Sequence, residues 1–174
     1  MDATITLTVD GRERTLTVDT RTTVLDALRE HLDVTSPKKG CDHGQCGSCT
    51  VLLDGRRALP CLALAVAHDG ADVTTADGLA TDGELHPVAR AFLDADAYQC
   101  GYCTPGQVCS AAAVLAEAGE GWPSAVTPDL DAERVTLDRS EIAERMSGNL
   151  CRCGAYANIV DAVASVAGTD GGAR

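Results

Sequence analysis

Aromatic residues, basic charge and long apolar runs are all scarce in this sequence. Among its 174 residues are one Trp, three Tyr and one Phe, and 14 Lys and Arg stand against 26 Asp and Glu, a formal net charge of −12. With no basic excess to neutralise phosphates, a protein that grips nucleic acid by its backbone is excluded. The longest unbroken apolar run, Cys61 to Ala67, holds seven residues. Roughly 20 are needed to span a bilayer, so no membrane helix is expected. An export signal needs positive charge and then a continuous apolar stretch. The opening MDATITLTVDG instead alternates apolar with polar residues and carries an acid at its second position, so the expected setting is the cytoplasm.

What is present is a globular composition, 45% hydrophobic and 23% charged, of a length that makes one large or two small domains. A core built mainly from Ala, Val and Leu gains less from each buried side chain than one rich in rings. A bound inorganic centre would add stability that such a core lacks. Tyr98, Tyr102 and Tyr156 each lie within three positions of a cysteine, which predicts bulky packing around the cysteines. There are nine of these, at 41, 46, 49, 61, 100, 103, 109, 151 and 153. An odd number without an export signal argues against a disulfide framework, because the cytosol keeps thiols reduced. Metal ligation is the expected use.

The periodicity divides the chain in two. Ile5, Leu7 and Val9 alternate with threonines, Asp10-Gly11 supplies a turn, and Leu16 and Val18 alternate on the return, which predicts a β-hairpin. Val24, Leu25, Leu28 and Leu32 recur at helical spacing behind a Thr23/Asp26 capping pair. Thr50 to Leu53 reads as a strand, Asp54-Gly55 as a turn and Val73 to Thr75 as a last strand. Residues 1–77 are therefore a small α+β unit, followed by a linker over 76–83.

From residue 78 the period is helical. The segments are carried by Val88 and Phe92; by Val108, Ala112 and Leu115 behind Thr104-Pro105; by Ile142 and Met146 behind an Asp138/Glu141 capping box; and by Ile159, Val160, Val163 and Ala167 up to Gly168. Four short helices over 78–167 predict an antiparallel bundle. Residues 119–137 interrupt it as an inserted loop, either solvated or facing a partner, and 168–174 read as a disordered tail.

The cysteine spacings carry the chemistry. Cys41, Cys46, Cys49 and Cys61 form C-x4-C-x2-C-x11-C, the order of plant-type ferredoxins with a shortened last interval. Three ligands on one loop need a sharply turning backbone with its N–H groups directed inward, and Gly40, Gly44 and Gly47 permit that. In the second half the pair Cys100 and Cys103 and the pair Cys151 and Cys153 can meet across a bundle and bring four sulfurs together. Spacing alone does not separate iron–sulfur from structural zinc, since both accept four thiolates.

Both quartets on a chain of this organisation closely resemble the small [2Fe–2S] iron–sulfur subunit of the molybdenum hydroxylases, the xanthine dehydrogenase and aldehyde oxidoreductase family. The resemblance runs over about residues 3–167 and rests on KKGCDHGQCGSCTVLLDG, QCGYCTPG and MSGNLCRCGAY. The wording DHGQCGSC and the long loop before CRC look most like separately encoded subunits of bacterial three-subunit aldehyde or xanthine dehydrogenases. The resemblance implies an α+β fold, a ferredoxin-like β-grasp domain with one [2Fe–2S] cluster on Cys41, Cys46, Cys49 and Cys61, and a four-helix domain with a second on Cys100, Cys103, Cys151 and Cys153. It implies partners too: a large subunit carrying molybdopterin, which does the substrate chemistry, and a medium subunit carrying FAD. The chain would relay electrons from the first to the second. By motif position Gln99 and Cys153 would approach the pterin; read from the residues alone, Gln99 merely bridges backbone at a helix end.

Other residues carry plainer expectations. Cys109 is the odd thiol and reads as buried core. His43 reads as a loop residue facing solvent or a partner, Lys38 and Lys39 as a solvated pair, and Arg152 as directed away from the metal. Two other functions compete with the relay: a free-standing two-cluster carrier, and a zinc protein that organises a complex without redox activity.

Overall fold

The computed structural model describes residues 1–168. Strands β1 (Asp2–Val9) and β2 (Arg12–Asp19) pair antiparallel in register from Asp2–Asp19 to Val9–Arg12. Asp10 and Gly11 between them both have positive φ, 49° and 74°, the conformation of a two-residue hairpin whose twist matches its strands. The sheet continues through β3 (Val51–Leu53), β4 (Arg56–Ala58) and β5 (Asp72–Thr74) in the order β2-β1-β5-β3-β4, with β5 parallel to β1. Strand β4 was absent from the sequence expectation. Its sequence RRA offers no apolar alternation, and pairing with β3 across the Asp54-Gly55 turn creates it.

Helix α1 (Val24–Asp26) begins where expected, with the Thr23 hydroxyl accepting the Asp26 N–H at 3.1 Å. It then widens into a π-helical turn over Ala27–His31. Val24, Leu25, Ala27 and Leu28 are fully buried, and three of them join Leu7, Val18 and Val73 in the first core. Alternate residues of β1 face this core because a strand's side chains alternate by two.

The second half is helical, as expected: α2 (Pro87–Asp94), α3 (Thr104–Gly119), α4 (Arg139–Met146) and α5 (Tyr156–Ala167). Helix α2 packs on α3 and α5, and α4 packs on the same two. Phe92, Val108, Val114, Ile142, Ile159 and Val163 fill the space between them. Helix α3 is buried on more sides than the expected stripe, and Ala112 and Leu115 are only half-buried. Asp138 caps α4 by accepting the Glu141 N–H at 2.9 Å, but the reciprocal half of the capping box is missing, because the Glu141 carboxylate is taken by Arg145 and Thr127. Thr104 does not cap α3: Cys103 occupies that position, and the Thr104 hydroxyl is buried without a partner. Gly168, with φ 73°, closes α5. Of the tail expected over 168–174, all but Gly168 lies outside the described residues.

Within the first half the Asp10 carboxylate accepts the Thr75 N–H and hydroxyl at 2.7 and 2.9 Å, anchoring the residue before the expected linker on the β1–β2 turn. Ion pairs and the inserted loop join the halves. On β4, Arg57 makes a two-pronged ion pair with Glu117 of α3, at 2.8 and 2.9 Å, and Arg145 of α4 bonds Glu141 at 2.8 Å beside it. The inserted loop completes the junction. Trp122 stacks on Arg56 with 4.4 Å to the ring centre, the Trp122 carbonyl accepts from Arg145, and the Thr127 hydroxyl donates to Glu141 at 2.8 Å.

Candidate metal centres

The loop from Gly40 to Thr50 turns because glycines allow it. Gly44 and Gly47 have φ of 80° and 68°, and a Cβ on Gly40 would stand 2.9 Å from the Cys46 sulfur. A side chain at Gly40 would therefore press on the thiol. Cys49 and Cys61 are buried, with their sulfurs 3.6 Å apart. Two thiolates sharing one tetrahedral metal at bonds of about 2.3 Å lie about 3.8 Å apart, so this pair is spaced as ligands of one metal atom would be. The Gln45 N–H points at the Cys41 sulfur at 3.3 Å.

The second set sits where α3 and α5 begin. Cys100 and Cys103 precede α3, and Cys151 and Cys153 precede α5. The Cys103 and Cys151 thiols influence each other's ionisation, and the Ala155 N–H points at the Cys151 sulfur at 3.5 Å. Cys100 is exposed, and Cys153 is half-buried. Cys41 and Cys46 from the first loop share a cleft of about 440 Å³ with Cys100, Cys103 and Cys151. Among the described residues no three His, Cys, Asp or Glu side chains are drawn together around a single ion; the closest thiols stand in pairs.

Electrostatics favour the charged thiolate at one position in each set and oppose it at another. The N–H groups of His43 and Gln45 bring the Cys41 thiol down to about 6 against its partial burial. Burial pushes Cys49 and Cys103 up to about 12. At Cys151 burial raises the thiol, but the N–H of Ala155, the Cys103 thiol and the N–H groups of Cys153 and Gly154 outweigh it, so its pKa is lowered. Buried thiols that resist ionisation beside N–H donors aimed at sulfur suit a site where a metal supplies the positive charge. The donor set, the spacing of Cys49 and Cys61 and the clearance at Gly40 all fit thiolate-bound iron.

Gln99 is exposed, and its Nε2 donates to the Cys153 carbonyl at 3.4 Å. The two residues singled out for the pterin are thus neighbours, and Gln99 also does what the plainer expectation required. Cys109 is fully buried, with its thiol pushed up to about 12 by burial. His43 is exposed and its ring nitrogen meets the Cys41 carbonyl. Lys38 and Lys39 are not a solvated pair: Lys38 donates to the Thr35 carbonyl at 2.7 Å, and Lys39 bonds Asp26 and Asp42 at 2.8 and 3.2 Å. Arg152 is exposed and lines the thiol cleft. The three tyrosines are 38–47% exposed, and Tyr102 and Tyr156 line the thiol cleft. Those two also act through their hydroxyls: Tyr102 donates to the Lys39 carbonyl, and Tyr156 accepts the Cys151 N–H, each at 2.8 Å.

Sequence reasoning missed Asn149. It is 4% exposed. Its Nδ2 donates to the Gly47 carbonyl at 2.9 Å, its Oδ1 accepts the Ser110 hydroxyl at 2.7 Å, and its carbonyl accepts Gln107 Nε2 at 3.0 Å. The next residue, Leu150, donates its N–H to the Cys46 carbonyl at 2.8 Å. The available signals were an Asn one residue from the CRC motif and a Gln in the otherwise apolar first turns of α3.

Residues 7–80 match the 2Fe-2S iron-sulfur cluster binding domain, and residues 75–164 match the [2Fe-2S] binding domain. The chain is 58% identical over 165 residues to the aldehyde oxidoreductase iron-sulfur-binding subunit PaoA of Escherichia coli (strain K12), covering 94% of this chain and 71% of that one. It is 41% identical to the nicotine 6-hydroxylase small subunit of Paenarthrobacter nicotinovorans, covering 96% and 91%. Its fold superposes on quinoline 2-oxidoreductase from Pseudomonas putida 86 with a TM-score of 0.82 at 37% identity, covering 97% of this chain and 94% of that one. Two ferredoxin-type domains in this order, on a chain alike along its length to small subunits of such enzymes, place it among the iron–sulfur subunits of the molybdenum hydroxylase family.

Proposed function

We propose that the chain holds two [2Fe–2S] clusters, one on Cys41, Cys46, Cys49 and Cys61 and one on Cys100, Cys103, Cys151 and Cys153, in domains divided near residue 77. It relays electrons from molybdopterin on a large subunit to FAD on a medium subunit, within an aldehyde or xanthine dehydrogenase type of enzyme working in the cytoplasm. Bound at these thiols, such clusters accept and return one electron each. The chain's own work is to hold and insulate. Cys49 and Cys61 keep one side of the first site out of water, the N–H groups of Gln45 and Ala155 offset negative charge on sulfur, and Gln99 beside Cys153 offers an amide suited to a pterin edge.

The observation that carries the reading is the Leu150 N–H to Cys46 carbonyl bond of 2.8 Å. It joins the backbone of a residue in the first set to the residue preceding Cys151 in the second, so a short bonded route runs between them. A structural zinc protein has no use for that adjacency.

The test is low-temperature EPR of the dithionite-reduced complex, purified with its accompanying subunits. Two distinct signals, iron and sulfide in equal amounts, and copurifying molybdenum and flavin are expected. A colourless chain that retains zinc, a single signal, or a fully active chain that purifies alone would overturn the proposal.

A further inference from the structure

Residues 99–103 and 149–153 each carry two cysteines, and each segment reaches across to the loop of the first set at a different point. From the later segment the Leu150 N–H holds the Cys46 carbonyl and the Asn149 amide holds the Gly47 carbonyl, at 2.8 and 2.9 Å. From the earlier one Tyr102, which stands between Cys100 and Cys103, donates its hydroxyl to the Lys39 carbonyl at 2.8 Å. That carbonyl lies two residues before Cys41, at the other end of the loop. Lys39 is itself fastened: its Nζ bonds Asp26, the last residue of α1, at 2.8 Å and Asp42 at 3.2 Å. Helix α1 in turn buries Leu25 together with Cys49 and Cys61. The acceptor of the Tyr102 hydroxyl is therefore fixed relative to the first set of thiols. Tyr102 is 47% exposed, so its ring gains little from burial. What this residue adds is the oxygen.

We propose that Tyr102 is a positioning residue whose hydroxyl, braced through Lys39 on Asp26, completes a two-point grip of the second cysteine set on the loop of the first and so fixes the separation of the two centres. The proposal rests on the two-cluster reading. A single anchor lets two bodies turn about it, whereas two anchors at opposite ends of one loop do not. Without the hydroxyl the segment bearing Cys100 and Cys103, which turns at Gly101 with φ 79°, is free to swing about the Asn149–Leu150 anchor. Electron passage between two centres and the magnetic interaction between them both fall steeply with separation. Tyr102 therefore acts on the pair and leaves the ligands of each centre as they are.

The experiment is EPR of the fully reduced whole complex, at a temperature low enough to resolve the mutual splitting of the two signals, comparing the unaltered chain with Tyr102→Phe and Lys39→Met. Iron content is measured alongside. Tyr102→Phe removes one oxygen and keeps the ring, and one neutral hydrogen bond contributes only modestly to stability. Full iron and two signals at unaltered positions are expected, with loss of the resolved splitting into a broadened line. Lys39→Met keeps the carbonyl but removes its tie to Asp26, and is expected to broaden the line in the same way; an unaltered line there would overturn the share of Lys39. An unaltered splitting in a fully loaded Tyr102→Phe complex would overturn the role of Tyr102. Loss of iron from that variant would overturn it too, by making Tyr102 part of the hold on the metal itself, as would two signals without mutual splitting in the unaltered complex. Fewer than two signals in the unaltered complex would fail the two-cluster reading, a result distinct from all of these.

Discussion

The side-chain amide of Asn149 donates to the carbonyl of Gly47 across 2.9 Å, from the turn before CRC into the loop of the first four cysteines. Its second acceptor, the Thr50 hydroxyl at 3.3 Å, lies on that loop as well. One buried amide thus bridges the two halves at their seam, beside the Leu150 N–H to Cys46 carbonyl bond. Asn149→Ala would leave the Ser110 hydroxyl buried without its acceptor, at about 1–3 kcal/mol, and would take one donor from the Gly47 carbonyl, which keeps the Thr50 N–H and hydroxyl at 3.1 and 2.7 Å. A loss of about 2–4 kcal/mol is expected, with a fall in thermal midpoint of roughly 2–4 °C per kcal/mol for a chain of this size. Ser110→Ala, which leaves only the buried Asn149 Oδ1 without its donor, should cost less, about 1–3 kcal/mol. Thermal unfolding of the two variants side by side checks the order.

Cys109 and Cys103 share helix α3 or its cap, yet only Cys103 has its ionisation shifted by other thiols. Cys109→Ala should keep the full iron content and both EPR signals, with a stability loss of about 1 kcal/mol for the lost sulfur contacts. Cys103→Ser and Cys153→Ser should each lose the iron of one centre and block reoxidation of molybdenum by flavin. Iron analysis and stopped-flow reduction read the two effects separately; equal iron loss in all three variants would show that the thiols are grouped differently.

Much of this was legible because the signals were local. Asp10-Gly11 dictated its hairpin and Thr23 its helix cap, each within a few residues of chain. What escaped was set by contacts distant in sequence. Strand β4 takes its regularity from β3, not from its own RRA. Lys39 looks solvated until α1 brings Asp26 to it. The hydroxyls of Tyr102 and Tyr156 find backbone partners that no spacing rule names. Asn149 and Gln107 read as polar residues near a motif, and only the packing of α3 against the Gly47 loop makes them buried.

That packing is tight enough to test. A Cβ on Gly106 of α3 would come within 2.5 Å of the Gly47 carbonyl oxygen and 2.9 Å of the Ser48 oxygen, both backbone atoms. Neither can swing aside as a side-chain tip would. Gly106→Ala should therefore push α3 off the first cysteine loop and cost about 1–3 kcal/mol or more. Gly11→Ala, where nothing lies within 4 Å but φ is 74°, should cost only the left-handed strain of about 1–2 kcal/mol. The discriminating measurement is iron content, expected to fall at the first centre in Gly106→Ala and to hold in Gly11→Ala.

The Arg145 network gives a pH signature. The Arg145 side chain is 3% exposed and Glu141 4%, with Glu117 of α3 3.5 Å from the same guanidinium. Burial raises the Glu141 carboxyl, but hydrogen bonds from Ser124, Thr127 and Arg145 and the Arg145 charge outweigh it, so its pKa lies below the ordinary glutamate value. A carboxyl depressed in the folded state contributes stability above its unfolded value of about 4.3, and that contribution is lost as the pH falls through the folded value. Arg145→Leu reverses the sign. Glu141 would then be buried without its cation, its pKa would rise, and stability would be lost as the pH rises through the new value. The variant should be less stable by about 3–5 kcal/mol at pH 7, the cost of breaking a buried pair from one side. The gap should narrow as the pH is brought below 4.3, because the protonated acid needs no cation. Urea unfolding of both chains at several pH values checks this, and a gap that stays constant with pH would assign the loss to packing alone.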